Sequence, residues 1–216
     1  MFKSVHGVML LSTLLMMIPV SLPAADRDAM KEDNQHIRRW NGFAEKLLRL
    51  HDRLTRQQPH TVTERLGGYA HMENFYREFK YTNKKTGKLT SLVAWEKAYP
   101  DNLHTIEVYL YDEYGRVTRD YSAAYLPAYR NAPTQTLISF HVYNGLLHAF
   151  RTFDASGDHI LDRCTGRYNA KEINILLDDD DLYEGRFQKK GVMQSDTYRE
   201  CFKGLPDKAG KYLDPQ

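Results

Sequence analysis

The sequence has only two cysteines in 216 residues, and it lacks the short motifs that mark familiar catalytic sites. It contains neither the G-x-S-x-G turn of serine hydrolases nor the H-E-x-x-H helix of zinc proteases. A glycine-rich phosphate loop and a C-x-x-C-H haem attachment sequence are also missing. The sequence therefore points to no catalytic residue and to no cofactor.

An excess of charge of either sign is also missing. The chain has 30 basic and 28 acidic residues, for a formal net charge of +2. Nucleic-acid-binding proteins usually carry a strongly basic face, so no nucleic-acid partner is expected. Tyrosine, by contrast, is abundant, with fifteen residues. Because tyrosine suits a pleated, half-buried surface, this abundance indicates either sheet packing or an aromatic recognition surface.

The N-terminus has the order of regions that is typical of a secretory signal peptide. Lys3 supplies a positive charge, residues 8–20 are almost all apolar, and small residues end at Ala25 before the charged Asp26. The apolar run is shorter than the ~20 residues that a membrane-spanning helix needs. We therefore predict a signal peptide over 1–25, a periplasmic or secreted location, and no membrane span after cleavage. An uncleaved membrane anchor remains an alternative. Cleavage after Ala24 or Ala25 would place Leu22 or Pro23 at the third position before the cut, and neither residue is small.

Cys164 and Cys201 are the two cysteines. Paired cysteines normally form a disulfide in the oxidising compartment that an exported chain enters. We therefore predict a Cys164–Cys201 disulfide, and the alternative is two free buried thiols.

The first structural element after the signal peptide is predicted to be an amphipathic helix over 35–56. Basic residues fill most of the positions between its apolar ones, which is the pattern of a helix that buries one face. Residues 57–69, with Pro59 and a Gly67-Gly68 pair, are predicted to be a connection, so that 26–68 forms the N-terminal helix and linker. The apolar positions recur every three or four residues at Ile37, Trp40, Phe43, Ala44, Leu47, Leu50 and Leu54.

From residue 74 onward the pattern becomes strand-like and is divided by turn signals. Asp followed by Gly115 or Gly157 is typical of a bulged hairpin, and Asn144-Gly145 is a strong two-residue hairpin signal. The segment 111–121, YDEYGRVTRDY, resembles a single YD-type repeat, the hairpin unit of large secreted shell proteins, over eleven residues. This resemblance implies a shared turn geometry.

Short loops between consecutive strands predict an antiparallel meander of about seven strands. The predicted fold is therefore α+β: the meander packs on the N-terminal helix and can curl into a half-barrel around a cavity. The predicted strands cover 73–82, 88–97, 104–111, 117–124, 135–143, 146–153 and 159–164.

The C-terminal part is predicted to be helical, so that the β-rich domain with its C-terminal helices covers 69–204. Asn169 with Glu172 resembles a capping box for a helix through Leu177. Ser195 is expected to cap a second helix through Lys203, and the tail over 205–216 is expected to be loose.

The longest irregular connection in the meander is residues 124–134, which contain two prolines. Binding residues concentrate on such loops, although a plain crossover would have the same composition. Our leading hypothesis is a non-catalytic binding or accessory protein that presents this loop and the outer strands to an unknown protein partner or small ligand in the envelope. The residues predicted to bind are Tyr125, Tyr129, Arg130, Tyr109 and Tyr121.

A second hypothesis follows from strand register. If Asn144-Gly145 forms the turn, His141 lies opposite His148, and the next hairpin places Cys164 beside His148. Two imidazoles and a thiolate are competent zinc or copper ligands, although a disulfide would use up the thiolate. The alternative function is therefore an enzyme, such as a hydrolase or a metal-dependent enzyme, that uses His141 or His148.

Overall fold

The computed structural model describes residues 35–127, 131–183 and 191–216. The predicted signal peptide and two predicted binding residues, Tyr129 and Arg130, lie outside the described residues. Within the described ranges, no helix is long and apolar enough to cross a membrane.

The N-terminal helix α1 covers Gln35–Gln57, which confirms the predicted amphipathic helix. Its apolar stripe is buried: Phe43, Leu47 and Leu50 are at most 2% exposed. The stripe packs on the central strands of the sheet, where it meets Ile106, Val108 and Ile138. The predicted α+β fold and its helix-on-sheet packing are therefore confirmed.

Within the described part of the chain, nine antiparallel strands form one open sheet, and their order in space is their order in the chain. Each of the seven predicted strands coincides with one of β2–β8 to within one residue, except that β8 continues four residues further. The strands are β1 (His60–Tyr69), β2 (Met72–Asn83), β3 (Leu89–Glu96), β4 (Leu103–Tyr111), β5 (Val117–Ala124), β6 (Gln135–Asn144), β7 (Leu147–Phe153), β8 (His159–Tyr168) and β9 (Lys171–Asp178).

Two segments were assigned wrongly from the sequence, and both are edge strands. Residues 57–69, predicted to be a connection, contain β1, and the predicted helix from Asn169 to Leu177 contains β9. Asn169 and Ala170 both have positive φ, at 49° and 62°, and they form a two-residue hairpin turn rather than a helix cap. The strand β1 is exposed on both faces, so its residues show no alternation that would predict a strand. In β9 the side chains of Ile173, Ile175 and Leu177 do alternate toward the core, and the capping-box pattern of Asn169 and Glu172 was misleading.

The hairpin turns that contain Gly115 and Gly157 are as predicted. Gly115 and Gly157 have φ of 75° and 95°, which glycine adopts without steric cost. In each turn the preceding aspartate folds its carboxylate back onto the backbone. Asp112 Oδ1 accepts from the amide of Arg116 at 2.8 Å, and Asp154 Oδ1 accepts from that of Asp158 at 2.9 Å.

The C-terminal part packs on the same face of the sheet as α1. A short helix α2 (Asp179–Tyr183) follows β9, and α3 (Asp196–Phe202) is capped by Ser195 as predicted. The predicted disulfide is confirmed, since Cys201 of α3 is bonded to Cys164 of β8.

Residues 205–216, which we call the C-terminal segment, are ordered against the core, so the prediction of a loose tail is wrong. Ala209 is 1% exposed, and a 3-10 helix covers Gly210–Leu213. The ring of Tyr212 lies 5.1 Å from that of Phe140 and 4.2 Å from the guanidinium carbon of Arg119. Two prolines and a glycine suggested a loose tail, whereas these tertiary contacts hold the segment in place.

Candidate functional site

The face of the sheet opposite α1 carries the polar residues of the central strands, and we call it the outer face. Because side chains alternate along a strand, the neighbours of the core residues Val108, Tyr121 and Phe140 point to it. The outer-face residues that form the candidate site are Glu107, Tyr109, Asp120, His141, Tyr143 and His148, which we call the histidine cluster.

The hairpin between β6 and β7 sets the position of the two histidines. Asn144 is paired with Leu147, so the turn residues are Gly145 and Leu146, one position later than predicted. Gly145 has φ of 63°, which suits the first position of a type II′ turn. His141 is therefore opposite Phe150 rather than opposite His148.

The two histidines nevertheless contact each other. His148 is paired with Tyr143, two residues along β6 from His141, so the two imidazoles are diagonal neighbours on the same face. His141 Nδ1 lies 3.0 Å from His148 Nε2. On its other side, His141 Nε2 lies 2.5 Å from the carboxylate of Asp120 on β5. The side chains of His141 and Asp120 are only 11% and 23% exposed. Asp120, His141 and His148 thus form one continuous hydrogen-bonded chain across three strands.

When both imidazoles are neutral, the carboxylate of Asp120 determines which nitrogen of each ring carries the proton. Asp120 can only accept, so His141 donates from Nε2 and accepts at Nδ1. His148 must then donate from Nε2, which leaves its Nδ1 as an unprotonated acceptor. Burial and the neighbouring His141 lower the pKa of His148. The chain therefore ends in a neutral imidazole with an available lone pair.

Aromatic rings flank this chain on one side. The ring of Tyr143 is stacked on His148 at 4.6 Å with an interplanar angle of 5°. The guanidinium of Arg116 lies 4.8 Å from the centre of the Tyr143 ring, and Phe150 lies 5.3 Å from His141. These stacked rings limit the rotation of His148.

A tyrosine–glutamate pair lies on the other side of the chain. Tyr109 is the cross-strand partner of Asp120, and its hydroxyl donates to the carboxylate of Glu107. Burial and this hydrogen bond raise the pKa of Tyr109 far above its usual range. The phenol therefore stays protonated, and its hydrogen is engaged in the bond that it donates to Glu107.

Of the three predicted metal ligands, His141, His148 and Cys164, the third is placed wrongly by the prediction. Cys164 is paired with Ala149, on the opposite face from His148, and its sulfur is in the disulfide. The cause is a β-bulge between Thr152 and Phe153, which shifts the register of β7 and β8 by one residue. Among the described residues, no group of three or more His, Cys, Asp or Glu side chains is arranged to hold a metal ion.

The predicted binding tyrosines are placed in different environments. Tyr109 belongs to the histidine cluster, whereas Tyr121 is 0% exposed in the core, so its assignment to a recognition surface is wrong. Tyr125 is half-buried on the α1 side, where its hydroxyl donates to Asn41 Oδ1 at 3.2 Å and burial raises its pKa to about 12. Tyr121 is paired with Val108, and both side chains point to the face that α1 covers.

A third histidine, His104, lies apart from this cluster. It is 2% exposed, its Nε2 lies 2.7 Å from the hydroxyl of Tyr69, and the ring of Tyr76 is stacked on it. A Cβ at Gly67 would come within 2.3 Å of the Tyr76 ring, so glycine is required there. These contacts fix the tip of the β1–β2 hairpin, which is a packing role.

The imidazole of His148 is expected to titrate below its ordinary pKa of 6.5. Between the folded and unfolded pKa values the unfolded chain binds more protons, so this histidine contributes stability above pH 6.5 that is lost as the pH falls. An NMR titration of the imidazole C–H signals checks the direction. His141→Phe should move the pKa back toward 6.5, and a wild-type value above 6.5 would contradict the arrangement of protons described above.

The histidine cluster is thus arranged to accept hydrogen bonds and to transfer a proton along Asp120, His141 and His148. Among the described residues no cysteine is free to act as a nucleophile. No model of a known protein family matches the chain, and neither does a curated protein or a solved structure.

Proposed function

We propose that this chain is an exported, non-catalytic binding protein that receives a hydrogen-bond-donating ligand on the outer face, at the histidine cluster. The observation that carries this proposal is the chain Asp120–His141–His148, whose contacts of 2.5 and 3.0 Å are already assembled in the folded protein. Groups with perturbed pKa values in a fixed arrangement are candidates for a functional site.

The chemistry of the cluster favours a ligand that is rich in N–H or O–H groups. Glu107 and Asp120 present carboxylates, and His148 presents the lone pair of Nδ1. The proton of Tyr109 is already used in its bond to Glu107. A ligand that brings its own donors, such as an amine or a polyhydroxylated molecule, would satisfy these acceptors, whereas an anion would be repelled.

The stacked rings support the same proposal. Tyr143 and Phe150 flank the histidines and offer apolar ring faces beside the acceptors. Small-ligand sites typically combine apolar and aromatic surface with a few placed polar groups that fix orientation. The confirmed disulfide is compatible with a periplasmic or secreted location, where such bonds persist.

Binding is tested with two probes, spermidine as an amine and maltotriose as a hydroxyl donor. At least one of them should bind and shift the backbone amide signals of 139–150 in NMR spectra. His148→Phe keeps an aromatic ring but removes the acceptor, and it should weaken binding about tenfold, equivalent to ~1.4 kcal/mol.

The matched control is Tyr125→Phe, which removes an aromatic hydroxyl from the opposite side of the sheet. Its affinity should equal that of the wild type. The proposal is wrong if neither probe binds at millimolar concentration, or if Tyr125→Phe weakens binding as much as His148→Phe does.

The alternative function, a hydrolase, is favoured by one observation. An aspartate that orients a histidine is the arrangement that activates a general base, and His148 Nδ1 is the basic end of this chain. Hydrolysis of 4-nitrophenyl acetate faster than by the same concentration of free imidazole, and lost in His148→Phe, would favour the enzyme over the binding protein.

A further inference from the structure

Two concavities lie side by side between α1 and the C-terminal segment, with volumes of about 500 and 470 Å³. We call them together the basic cleft. They share Lys46 and Asp214, which form an ion pair at 3.0 Å. Volumes of this size fall in the range of sites that bind small ligands.

The walls of the basic cleft are strongly cationic. Only one acidic side chain, Asp214, is among the lining residues within the described parts of the chain. Arg49 is 3.8 Å from Glu45 in an exposed pair that contributes little, and neither Arg38 nor Arg53 has an ion pair with a described residue. The six lining cations are Arg38, Arg39, Lys46, Arg49, Arg53 and Lys211.

This clustering contrasts with the protein as a whole, whose net charge is only +2. Five of the six cations come from α1, whose apolar stripe is buried in the core. A concave surface lined by charges of one sign focuses the field and raises the local concentration of ions of opposite sign. The basic cleft is therefore well suited to an anion.

Gly42 is an independent observation that points to the same place. It lies inside the 23-residue helix α1, although glycine is among the poorest helix formers. A Cβ at this position would have no heavy atom within 4 Å, so packing does not require glycine. Gly42 lines the first concavity, where any larger side chain would project into the space.

We propose that the basic cleft binds a ligand that carries phosphate groups. Arginine guanidinium groups match phosphate oxygens in a bidentate manner, and lysine ammonium groups add point charges. Both concavities together offer room and cations for two phosphates. The phosphates could belong to a soluble molecule or to a lipid headgroup, and the chemistry of recognition is the same.

The test measures binding of inorganic pyrophosphate to the full folded chain by calorimetry. The salt concentration is roughly 50 to 100 mM, at which electrostatic attraction is only partly screened. Pyrophosphate should bind with an affinity that falls as salt is added. Arg38→Gln combined with Lys211→Gln removes one cation from each wall of the first concavity, and it should lower the affinity at least tenfold. A matched double variant, Arg56→Gln with Lys171→Gln, loses the same charge outside the cleft and should bind within twofold of the wild type.

Gly42→Gln separates shape from charge, because it keeps every cation and fills the space. It should abolish binding without lowering the melting temperature, since glutamine favours a helix more than glycine does. Vesicles of phosphatidylglycerol, compared with phosphatidylcholine, identify the source of phosphate. Binding only to the anionic vesicles, with the same loss in the cleft variants, supports the lipid headgroup, and binding of pyrophosphate supports a soluble ligand.

The proposal is overturned if neither pyrophosphate nor the anionic vesicles bind. It is also overturned if the control double variant loses as much affinity as the cleft double variant, because the attraction would then be diffuse. The basic cleft lies on the α1 side of the sheet and the histidine cluster on the outer face. Variants of one site leave the other intact, so the two proposals can fail separately.

Discussion

Asp162→Leu is expected to lower the free energy of unfolding by about 3 to 5 kcal/mol, because the buried guanidinium of Arg151 loses its bidentate partner. Among the described acidic side chains it keeps only the exposed carboxylate of Asp207, 3.0 Å from Nη1. Arg151 and Asp162 form a bidentate pair between β7 and β8. Arg151 Nε lies 2.8 Å from Asp162 Oδ1, and Nη2 lies 3.0 Å from Oδ2. Their side chains are 8% and 0% exposed, so water cannot replace the lost carboxylate.

The same pair connects the C-terminal part to the sheet. The hydroxyl of Tyr198 on α3 donates to Asp162 Oδ2 at 2.5 Å, and Arg151 Nη1 donates to the carbonyl of Pro206 at 3.2 Å. Burial raises the pKa of Asp162, but hydrogen bonds from His159 and Arg151 outweigh burial and hold this pKa below its usual value. Part of the lost free energy of unfolding in Asp162→Leu should therefore come from weaker packing of α3 and of the C-terminal segment on the sheet.

Urea unfolding at pH 7 measures this effect. The control is Asp162→Leu combined with Arg151→Met, which replaces the pair by apolar side chains of similar volume. Because desolvation of two charges opposes the attraction between them, the double variant should recover most of the loss. A single variant within about 1 kcal/mol of the wild type would show that the pair contributes no more than an exposed one.

Removing the disulfide, by Cys164→Ala with Cys201→Ala, is expected to cost about 3 to 4 kcal/mol. The bond joins residues 37 apart in sequence, so it restricts the unfolded chain over a long loop. It also ties α3 to β8 at a place where both sulfurs are 0% exposed and pack against Leu147, Ala149 and Phe202.

Thermal unfolding of the double variant and of the wild type with dithiothreitol separates two causes. Reduction keeps both sulfur atoms in the core, whereas alanine also removes their packing. The alanine variant should therefore melt lowest and the reduced wild type between it and the oxidised protein. An unchanged melting temperature after verified reduction would mean that the bond does not restrict the unfolded chain.

Local chemistry explains why so much of the meander could be predicted. An aspartate that can accept backbone hydrogen bonds, followed by a glycine with positive φ, determines the turns at Gly115 and Gly157 within a few residues. The hydrophobic period likewise determines α1 without any distant contact. In contrast, β1 is exposed on both sides, so its sequence carries little of the alternation that burial imposes. The strand β9 does alternate, and it was missed because Asn169 and Glu172 have the spacing of a helix cap.

The candidate site shows where local patterns stop being sufficient. The two histidines were predicted to meet, and they do, but through a diagonal contact that depends on a turn displaced by one residue. The side chain of Asn144 donates to the carbonyl oxygens of Glu200 and Lys203 in and just after α3, a contact across more than fifty residues that supports this register. No pattern near residue 144 could have indicated it.

Short-range periodicity, turn chemistry and the number of thiols were enough to predict the helix α1, seven strands, their antiparallel order and the pairing of the two cysteines. Contacts in the folded chain were needed to establish the register of β6 to β8 and the face that α1 covers. The chain from Asp120 to His148 and the basic cleft along α1 depend on both. The physical reason is that register and layer packing depend on bulges and on contacts between distant segments, and a shift of one residue changes which side chains meet.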